Sequence, residues 1–287
     1  EASKKMLRNT PAMYKKAYPF LKEVDSLALA NVQMHLEKAY KNFFRNPKIG
    51  FPKFKSKHRS RKSYTTNVVN GNILVESKKI RLPKLKWIAM KKHREPAENC
   101  RLKSVTVSME SSGKYFASLL YEGYSCENQA ADKDYSNAKI LGIDYAMQGM
   151  AVFSEEIEME EAGFFRKNEK RLAREQRKLS HCEQGSNRYK KQKKKVARIH
   201  THIAHQRKDF LHKESRKIAN SYDIVCMEDL NMKEMSQDMC FGKRVHDNGW
   251  GMFTDFLAYK MERAGKKLVR IDRWYPSSKT CSCCGNI

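Results

Sequence analysis

The chain has 287 residues, enough for about two domains. Its 58 lysines and arginines exceed its 32 acidic residues and give a net charge of +26, and no run of about 18 apolar residues is present, which argues against a transmembrane helix. Eight cysteines are too few for a disulfide scaffold, so we expect a reducing, cytoplasmic setting.

The positive charge is concentrated in two blocks. Residues 1–62 contain sixteen basic and four acidic residues, and residues 164–217 contain nineteen and five, while the rest of the chain is balanced. Segregated positive charge of this size is expected on surfaces that neutralise nucleic-acid phosphates. The alternative is a generally basic protein whose charged faces are simply solvated.

The first block begins with an amphipathic helix. Residues 24–45 place apolar side chains at helical spacing, and Asp25 or Ser26 can cap the amino terminus. The expected apolar stripe consists of Leu29, Val32, Leu36, Ala39, Tyr40 and Phe43. A basic loop with interleaved aromatic residues, NPKIGFPKFKSKHRSRKSY, follows the helix. We therefore assign residues 1–62 to a helical recognition segment and a basic loop.

Residues 63–122 alternate between short strands and turn signals. The strand candidates are SYTTN, NILVE, KIRLP, KWIAMK, KSVTVSME and KYFASLLYEG. Asn70–Gly71 and Ser112–Gly113 mark two of the turns. Short strands at this spacing predict a small β-barrel or sandwich. Residues 123–137 are polar and poor in apolar side chains, which indicates a linker.

A second domain begins at residue 138 and extends to residue 287. Its expected elements are a strand–turn–strand over 138–154, two basic helices over 164–219 broken near 182–187, a buried strand over 222–229, a helix over 248–265 and a strand over 266–272. Asn248 is the candidate N-cap of the last helix, and Gly265 is its candidate stop. This order indicates an α/β sheet with parallel strands joined by helical crossovers.

Two carboxylates stand where buried strands of this domain end. Asp144 follows the apolar ILGI, and Glu228 follows the apolar IVCM. If the two strands are neighbours, these acids can meet and bind Mg²⁺, which one or two carboxylates hold together with waters and substrate oxygens. Magnesium ions at such sites catalyse phosphodiester hydrolysis. The alternative is that each acid caps a strand or pairs with a basic residue.

The carboxyl-terminal residues contain one metal motif. Cys281 and Cys284 form a C-x-x-C pair, which supplies half of a tetrahedral zinc site. The chain begins at Glu1 and ends at Ile287, inside this motif, so we expect segments to be missing at both ends.

Taken in order, these stretches resemble the TnpB family, the RNA-guided nucleases of insertion-sequence transposons and relatives of miniature type V CRISPR effectors. GIDYAMQGMAVFS is similar to the first motif of the family's RuvC domain, and CMEDLNM is similar to the second. The run NGWGMFTDFLAYKMERAGKKLVRIDRWYPSSKTCSCCG resembles the approach to its zinc finger. The match spans about 138–287 and extends more loosely over 10–122.

The resemblance implies an α+β fold in two parts. A small, wedge-like β-barrel lobe with a helical insertion would bind nucleic acid, and an RNase H-like (RuvC) α/β domain with a zinc-finger insertion would follow. Asp144 and Glu228 become the catalytic Mg²⁺ ligands, and Cys281 and Cys284 become the first Zn²⁺ pair, with residues 277–287 as half of the finger. Ala146 replaces the family's usual glycine. The family's second C-x-x-C and third catalytic aspartate lie beyond Ile287.

The function implied is RNA-guided DNA endonuclease activity, with a guide RNA from the transposon end and a target DNA as partners and no membrane. We expect a prokaryotic, nucleoid-associated monomer or a dimer on the RNA. The candidate phosphate contacts are Lys53, Lys55, Lys57, Arg59, Arg61, Arg171, Arg174, Lys178, Lys190, Lys191, Lys194, Arg207 and Lys208. Phe54 and Tyr64 are candidates for base stacking, whereas Trp87 is expected in the core.

Two alternatives remain open from the residues. One is a nuclease-inactive, RNA-guided DNA-binding repressor on the same scaffold, since the third acid is not visible. The other is a plain RNA-binding protein, which the paired acids and the C-x-x-C motif disfavour. Trp250 is expected in the core or in support of the active site.

Overall fold

The computed structural model describes residues 10–56, 60–123, 135–146, 148–157, 159, 163–232, 234–235, 245, 247–272, 275 and 284. The chain divides into two compact units, Glu1–Ser125 and Cys126–Ile287. The division falls within the segment expected to be a linker.

The first unit begins with helices. Helix α1 spans Pro11–Ala17, a short 3-10 turn spans Pro19–Lys22, helix α2 spans Ser26–Arg45, and a second 3-10 turn spans Pro47–Ile49. Asp25 caps α2 as expected, because its carboxylate accepts a hydrogen bond from the backbone N–H of Leu27 at 3.1 Å. The same carboxylate accepts a hydrogen bond from the hydroxyl of Thr66, which joins the start of α2 to a strand.

The buried face of α2 differs from the expected apolar stripe. Val32 and Leu36 are 62% and 50% exposed, whereas Ala28 and Asn31 are buried. Asn31 is tolerated there because its side-chain amide donates to the carbonyl of Thr65 at 2.9 Å. Helical spacing predicts the helix, but a hydrogen bond to the backbone of a strand that is distant in the sequence favours the face that carries Asn31.

Six strands follow, as the sequence predicts. They are β1 (Lys62–Asn67), β2 (Leu74–Val75), β3 (Lys79–Leu82), β4 (Lys86–Ala89), β5 (Arg101–Met109) and β6 (Tyr115–Glu122). Asn70 and Gly71 both have positive φ, and so does Gly113, which confirms the two turn signals. The strands form two antiparallel three-stranded sheets, β1–β5–β6 and β2–β3–β4.

These two sheets cover one apolar core. Ile80 and Leu82 of one sheet and Val105 of the other are buried in the same cluster. Within the described residues no strand of one sheet pairs with a strand of the other, so the described strands form two packed sheets, as in the sandwich that was one of the two predicted alternatives. Trp87 is 43% exposed, which corrects its expected place in the core. It lies on β4, an edge strand that is exposed throughout.

The second unit contains a four-stranded sheet and three long helices. In chain order they are β7 (Ile140–Ala146), β8 (Met150–Phe153), α3 (Phe164–Ser180), α4 (Asn187–Ser221), β9 (Ile224–Glu228), α5 (Trp250–Arg263) and β10 (Lys267–Ile271). The strand order is β10–β9–β7–β8. The β7–β9 and β9–β10 pairs are parallel, and the β7–β8 pair is antiparallel. The expected sequence of elements and the parallel crossovers are confirmed.

The core lies on one face of this sheet. Leu141, Ile143, Val225 and Met227 alternate along β7 and β9 and pack with the buried face of α4 and α5. Gly249, rather than the expected Asn248, is the N-cap residue of α5, with φ of 68°. Gly265 follows the helix with φ of 62° and its N–H donates to the carbonyl of Glu262, which confirms it as the stop.

Helices α3 and α4 form an antiparallel hairpin with a core of its own. The break between them lies where the sequence predicts it, and Ser186 caps α4 by accepting from the N–H of Tyr189 at 3.1 Å. Leu172 of α3 packs with Val196, Ile199 and Ile203 of α4. The 35 residues of α4 extend for about 52 Å. The helix therefore packs against α3 at one end and against the sheet at the other.

Replacing Leu82 with alanine should destabilise the first unit by about 2–5 kcal/mol, because the side chain is 3% exposed and its removal leaves a cavity. Replacing Leu36 with alanine should cost about 0.5 kcal/mol or less, since that side chain is half exposed. Urea unfolding of both variants measures the difference. Equal costs would contradict the packing of α2 described above.

Candidate active site and nucleic-acid interface

Asp144 and Glu228 come from neighbouring parallel strands. The register of β7 and β9 pairs Leu141 with Val225 and Ile143 with Met227, and the next residues along the two strands are Asp144 and Glu228. Since side chains alternate along a strand, both carboxylates project from the face opposite the apolar core. The sheet therefore brings together two acids that are far apart in the sequence.

The two carboxylates line a cleft on the face of the sheet that no described residue covers. The cleft has a volume of about 540 Å³. Its lining residues are Gly142, Ile143, Asp144, Val152, Phe153, Ser154, Cys226, Met227, Glu228 and Ile271. Asp144 is exposed and Glu228 is half-buried, so a hydrated cation and a phosphate group can reach both. Gly142 is part of this lining, and its backbone N–H donates to the hydroxyl of Ser154 at 2.9 Å.

The chemistry of this cleft fits a hard divalent cation. Carboxylate oxygens are the ligands that Mg²⁺ prefers, and one or two suffice because waters and substrate oxygens complete its shell. Among the residues that the structure describes, no three His, Cys, Asp or Glu side chains come together. The described residues therefore do not form the complete set of protein ligands that a structural metal site has.

Asp229 belongs to the other face. Its carboxylate accepts from the Arg270 guanidinium at 3.2 Å, and its N–H donates to the carbonyl of Ile271 at 3.0 Å. Both interactions tie the end of β9 to β10. Glu228, and not its acidic neighbour, thus faces the cleft.

The strand end that carries Asp144 rests on an aromatic contact. Trp250 is 2% exposed, and its ring centroid lies 5.3 Å from that of Tyr145. Tyr145 packs on the core side of the sheet, opposite the cleft, and burial there raises the pKa of its phenol. The expectation that Trp250 is a core residue is confirmed.

The basic candidates of the first unit are partly described. Lys53, Lys55 and Arg61 are exposed, and the Arg61 guanidinium lies 3.5 Å from the hydroxyl of Ser108. Lys57 and Arg59 lie outside the described residues. Phe54 is 96% exposed in the same loop, where a ring without protein packing can stack on a base.

The basic candidates of the hairpin are exposed with one exception. The exposed ones are Arg171, Arg174, Lys178, Lys190, Lys191, Lys194 and Lys208. Arg207 has a side chain that is 19% exposed and donates to the buried carboxylate of Asp247 at 3.1 Å. This ion pair with a buried acid favours a structural role for Arg207, and its assignment as a phosphate contact stays a prediction.

Sequence reasoning missed Glu175, which organises the cations of the hairpin. It is 2% exposed, and it accepts from Gln192 at 2.8 Å, from Lys178 at 3.1 Å and pairs with Lys195 at 3.1 Å. These hydrogen bonds lower the pKa of the carboxyl to about 2, that from Gln192 most. An acid inside a basic helix at a position facing the partner helix is the only signal the sequence offers.

The zinc motif lies almost entirely outside the described residues. Cys284 is exposed and its thiol is free, and Cys281 is not among the residues described. No described helix is both long and apolar enough to cross a membrane.

Two family models match the chain. The model OrfB_IS605, described as "Probable transposase", matches residues 123–239. The model "Cas12f1-like, TNB domain" matches residues 250–287. Together they match the linker and all of the second unit except residues 240–249, and the match includes the strands that carry Asp144 and Glu228.

Curated relatives match over nearly the whole chain. "Putative RNA-guided DNA endonuclease" of Streptomyces pristinaespiralis is 33% identical over 273 residues, which cover 93% of this chain and 65% of the relative. "Putative RNA-guided DNA endonuclease InsQ" of Escherichia coli (strain K12) is 31% identical over 283 residues, with coverage of 93% and 67%. The chain thus spans about two thirds of the length of these relatives.

One solved structure shares the fold. The cryo-EM structure of a Cas12f1–sgRNA–target DNA complex aligns with a TM-score of 0.50 at 16% identity, over 91% of this chain and 64% of that chain. At this identity the likeness concerns the mixed α+β fold.

Replacing Glu175 with glutamine should lower the melting temperature at pH 7, because Lys178 and Lys195 lose their buried partner. The folded-state pKa of Glu175 is depressed from 4.5 to about 2, so its contribution is present above pH 4.5 and is lost as the pH falls towards 2. The difference in melting temperature between Glu175→Gln and wild type should therefore become smaller as the pH falls from 4.5 to 3. Thermal unfolding followed by circular dichroism measures it. Glu183→Gln, in the exposed turn of the hairpin, is the control. A difference that is independent of pH would contradict the assignment.

Proposed function

The chain belongs to the TnpB/OrfB family of IS605-type transposons, and from this premise we propose that it is an RNA-guided DNA endonuclease. The observation that carries the proposal is the pair Asp144 and Glu228, one register step beyond Ile143 and Met227, at one open cleft. The relatives carry the name "Putative RNA-guided DNA endonuclease", and two carboxylates at one cleft support such an activity.

We assign the second unit to an RNase H-like (RuvC) nuclease domain. Asp144 and Glu228 would hold Mg²⁺, which, when bound, activates a water and stabilises the leaving oxygen of a phosphodiester. The protein's part is to fix both carboxylates on adjacent strands at one open cleft, so that a single strand can approach. The third acid of the site would lie beyond Ile287.

We further propose that Cys281 and Cys284 are the first pair of a zinc finger inserted in this domain. Cys283 lies between them and would be a spare thiol. The match of residues 250–287 to a TNB domain supports this assignment. A closed structural site needs four ligands, so the second pair would come from outside this chain segment.

The guide RNA would contact the basic loop of the first unit and the helical hairpin of the second. Residues 170–199 contain twelve basic and two acidic side chains, and one of the two acids is the buried Glu175. A surface of this kind binds phosphates without reading sequence. Specificity for the target DNA would then come from base pairing with the guide RNA. One or two copies of the protein would bind each RNA.

Alanine at Asp144 or at Glu228 should reduce cleavage of matched target DNA at least about 100-fold, because either change removes a metal ligand. Binding of the copurifying RNA should be unchanged. The matched control is Asp255→Ala, which removes an exposed carboxylate from α5. Gel analysis of cleavage by the full-length complex in Mg²⁺ and in EDTA measures the effect.

Full activity in either site variant would overturn the assignment of the cleft. Guided binding of wild type without cleavage in Mg²⁺ would favour the repressor, and absence of guided DNA binding would favour a plain RNA-binding protein.

Replacing both Lys190 and Lys194 with alanine should weaken RNA binding and reduce the slope of log K against log salt by about 1.5, since each phosphate contact contributes about 0.7–0.9. The matched control is Lys139→Ala with Lys267→Ala. These exposed lysines flank the amino-terminal ends of β7 and β10, away from the hairpin. Filter binding across a salt series measures both slopes, and equal slopes for the two double variants would contradict the interface.

A further inference from the structure

A buried carboxylate joins the base of the helical hairpin to the residues before α5. Asp247 is 6% exposed. It accepts from the Arg207 guanidinium of α4 at 3.1 Å and from the backbone N–H of Phe165 in α3 at 3.0 and 3.2 Å. Gly163, the N-cap residue of α3, has no side chain to bond that N–H, so Asp247 acts as a cap supplied from elsewhere in the chain.

The two residues after Asp247 continue from this carboxylate towards the sheet. Gly249 has φ of 68°, and a Cβ there would lie 3.1 Å from both Arg207 and Leu211. A larger residue would therefore have to displace both side chains and adopt a left-handed φ, which favours glycine at this turn close to α4. The turn aims Asn248 and Trp250 at the end of β7.

Both of those side chains reach the residues that follow Asp144. The Asn248 amide lies 3.5 Å from the carbonyl oxygen of Ala146, and the indole of Trp250 lies 5.3 Å from the ring of Tyr145. Asn248 and Trp250 are themselves buried. A continuous set of contacts thus runs from the hairpin, through Asp247, to the strand end that presents Asp144.

We propose that Asp247 is a positioning residue for the metal site. With Arg207 and Phe165 on one side and the turn at Asn248–Trp250 on the other, it fixes the end of β7, and hence the Asp144 carboxylate, relative to the hairpin that binds nucleic acid. The inference rests on the proposed function for its catalytic consequence, whereas the mechanical link stands on these contacts alone. Mutation of residues that hold metal ligands in place commonly changes metal affinity by about 10–100-fold.

The test compares Asp247→Asn with Asp209→Asn. Asp209 lies on α4 two residues from Arg207, but its carboxylate is exposed and pairs only at the surface with Lys213 at 2.7 Å, so its substitution makes the same change of charge without touching the link. Arg207→Lys is a milder second variant, which keeps the charge and most of the packing if Asp247→Asn folds poorly.

The first measurement is amide hydrogen exchange in the protein without nucleic acid. We expect residues 143–146 of β7 to exchange at least about tenfold faster in Asp247→Asn than in wild type, while residues 224–227 of β9 are unchanged. Asp209→Asn should match wild type in both segments. A uniform rise across β7 and β9, or no rise in β7, would overturn the proposal and leave Asp247 as a purely structural residue.

The second measurement is the Mg²⁺ concentration that gives half-maximal cleavage by the complex with RNA and saturating DNA. Asp247→Asn should raise it by about 10–100-fold, and Asp209→Asn should not. A lower amplitude with an unchanged midpoint would contradict positioning, because lost stability reduces the amount of active protein and not its affinity for metal. If wild type does not cleave, the proposed function fails, and hydrogen exchange still decides the link between hairpin and strand.

Discussion

The parallel pairing of β7 with β9 is the constraint on which the account depends. It aligns two strands whose apolar residues occupy one face and whose terminal acids occupy the other. Slipping the register by one residue would turn every side chain of a strand to the opposite face, and would bury Asp144 or Glu228 among leucine and methionine. The free-energy cost of burying a carboxylate therefore disfavours a slipped register, and the hydrophobic core favours the observed register as well. The candidate site is a consequence of how this sheet is packed.

The helices extend this arrangement towards a nucleic acid. Helix α4 buries Leu211 and Ile218 against the sheet at one end and Val196 and Ile199 against α3 at the other. Its outer face is left to lysines and arginines. Buried acids offset the resulting repulsion: Glu175 pairs with lysines of both helices of the hairpin, Glu214 pairs with Lys217, and Asp247 pairs with Arg207. Helix α4 thus carries the cationic surface at one end and packs at its other end on the face of the sheet opposite the cleft.

Much of this architecture is predictable from the sequence because it depends on the spacing of residues that are close together in the chain. Period-two and period-3.6 apolar spacing specify the strands and helices, and acids at the ends of two apolar runs specify Asp144 and Glu228. The exceptions depend on partners that are distant in the sequence. Val32 and Leu36 look like core residues until Asn31 is seen to bond Thr65, and Arg207 looks like one more exposed cation of the helix until Asp247 is found beside it. Asn248 resembles an N-cap, but the close approach to α4 requires Gly249 there.

The central claim is that Asp144 and Glu228 form one metal site. Anomalous diffraction from Mn²⁺, used in place of Mg²⁺ in crystals of the full-length protein with its RNA, tests it most directly. The account predicts a manganese peak in the cleft, with oxygen atoms of both carboxylates at about 2.0–2.3 Å from the metal. A peak bound to only one of the two acids, or manganese bound elsewhere with the cleft empty, would contradict it.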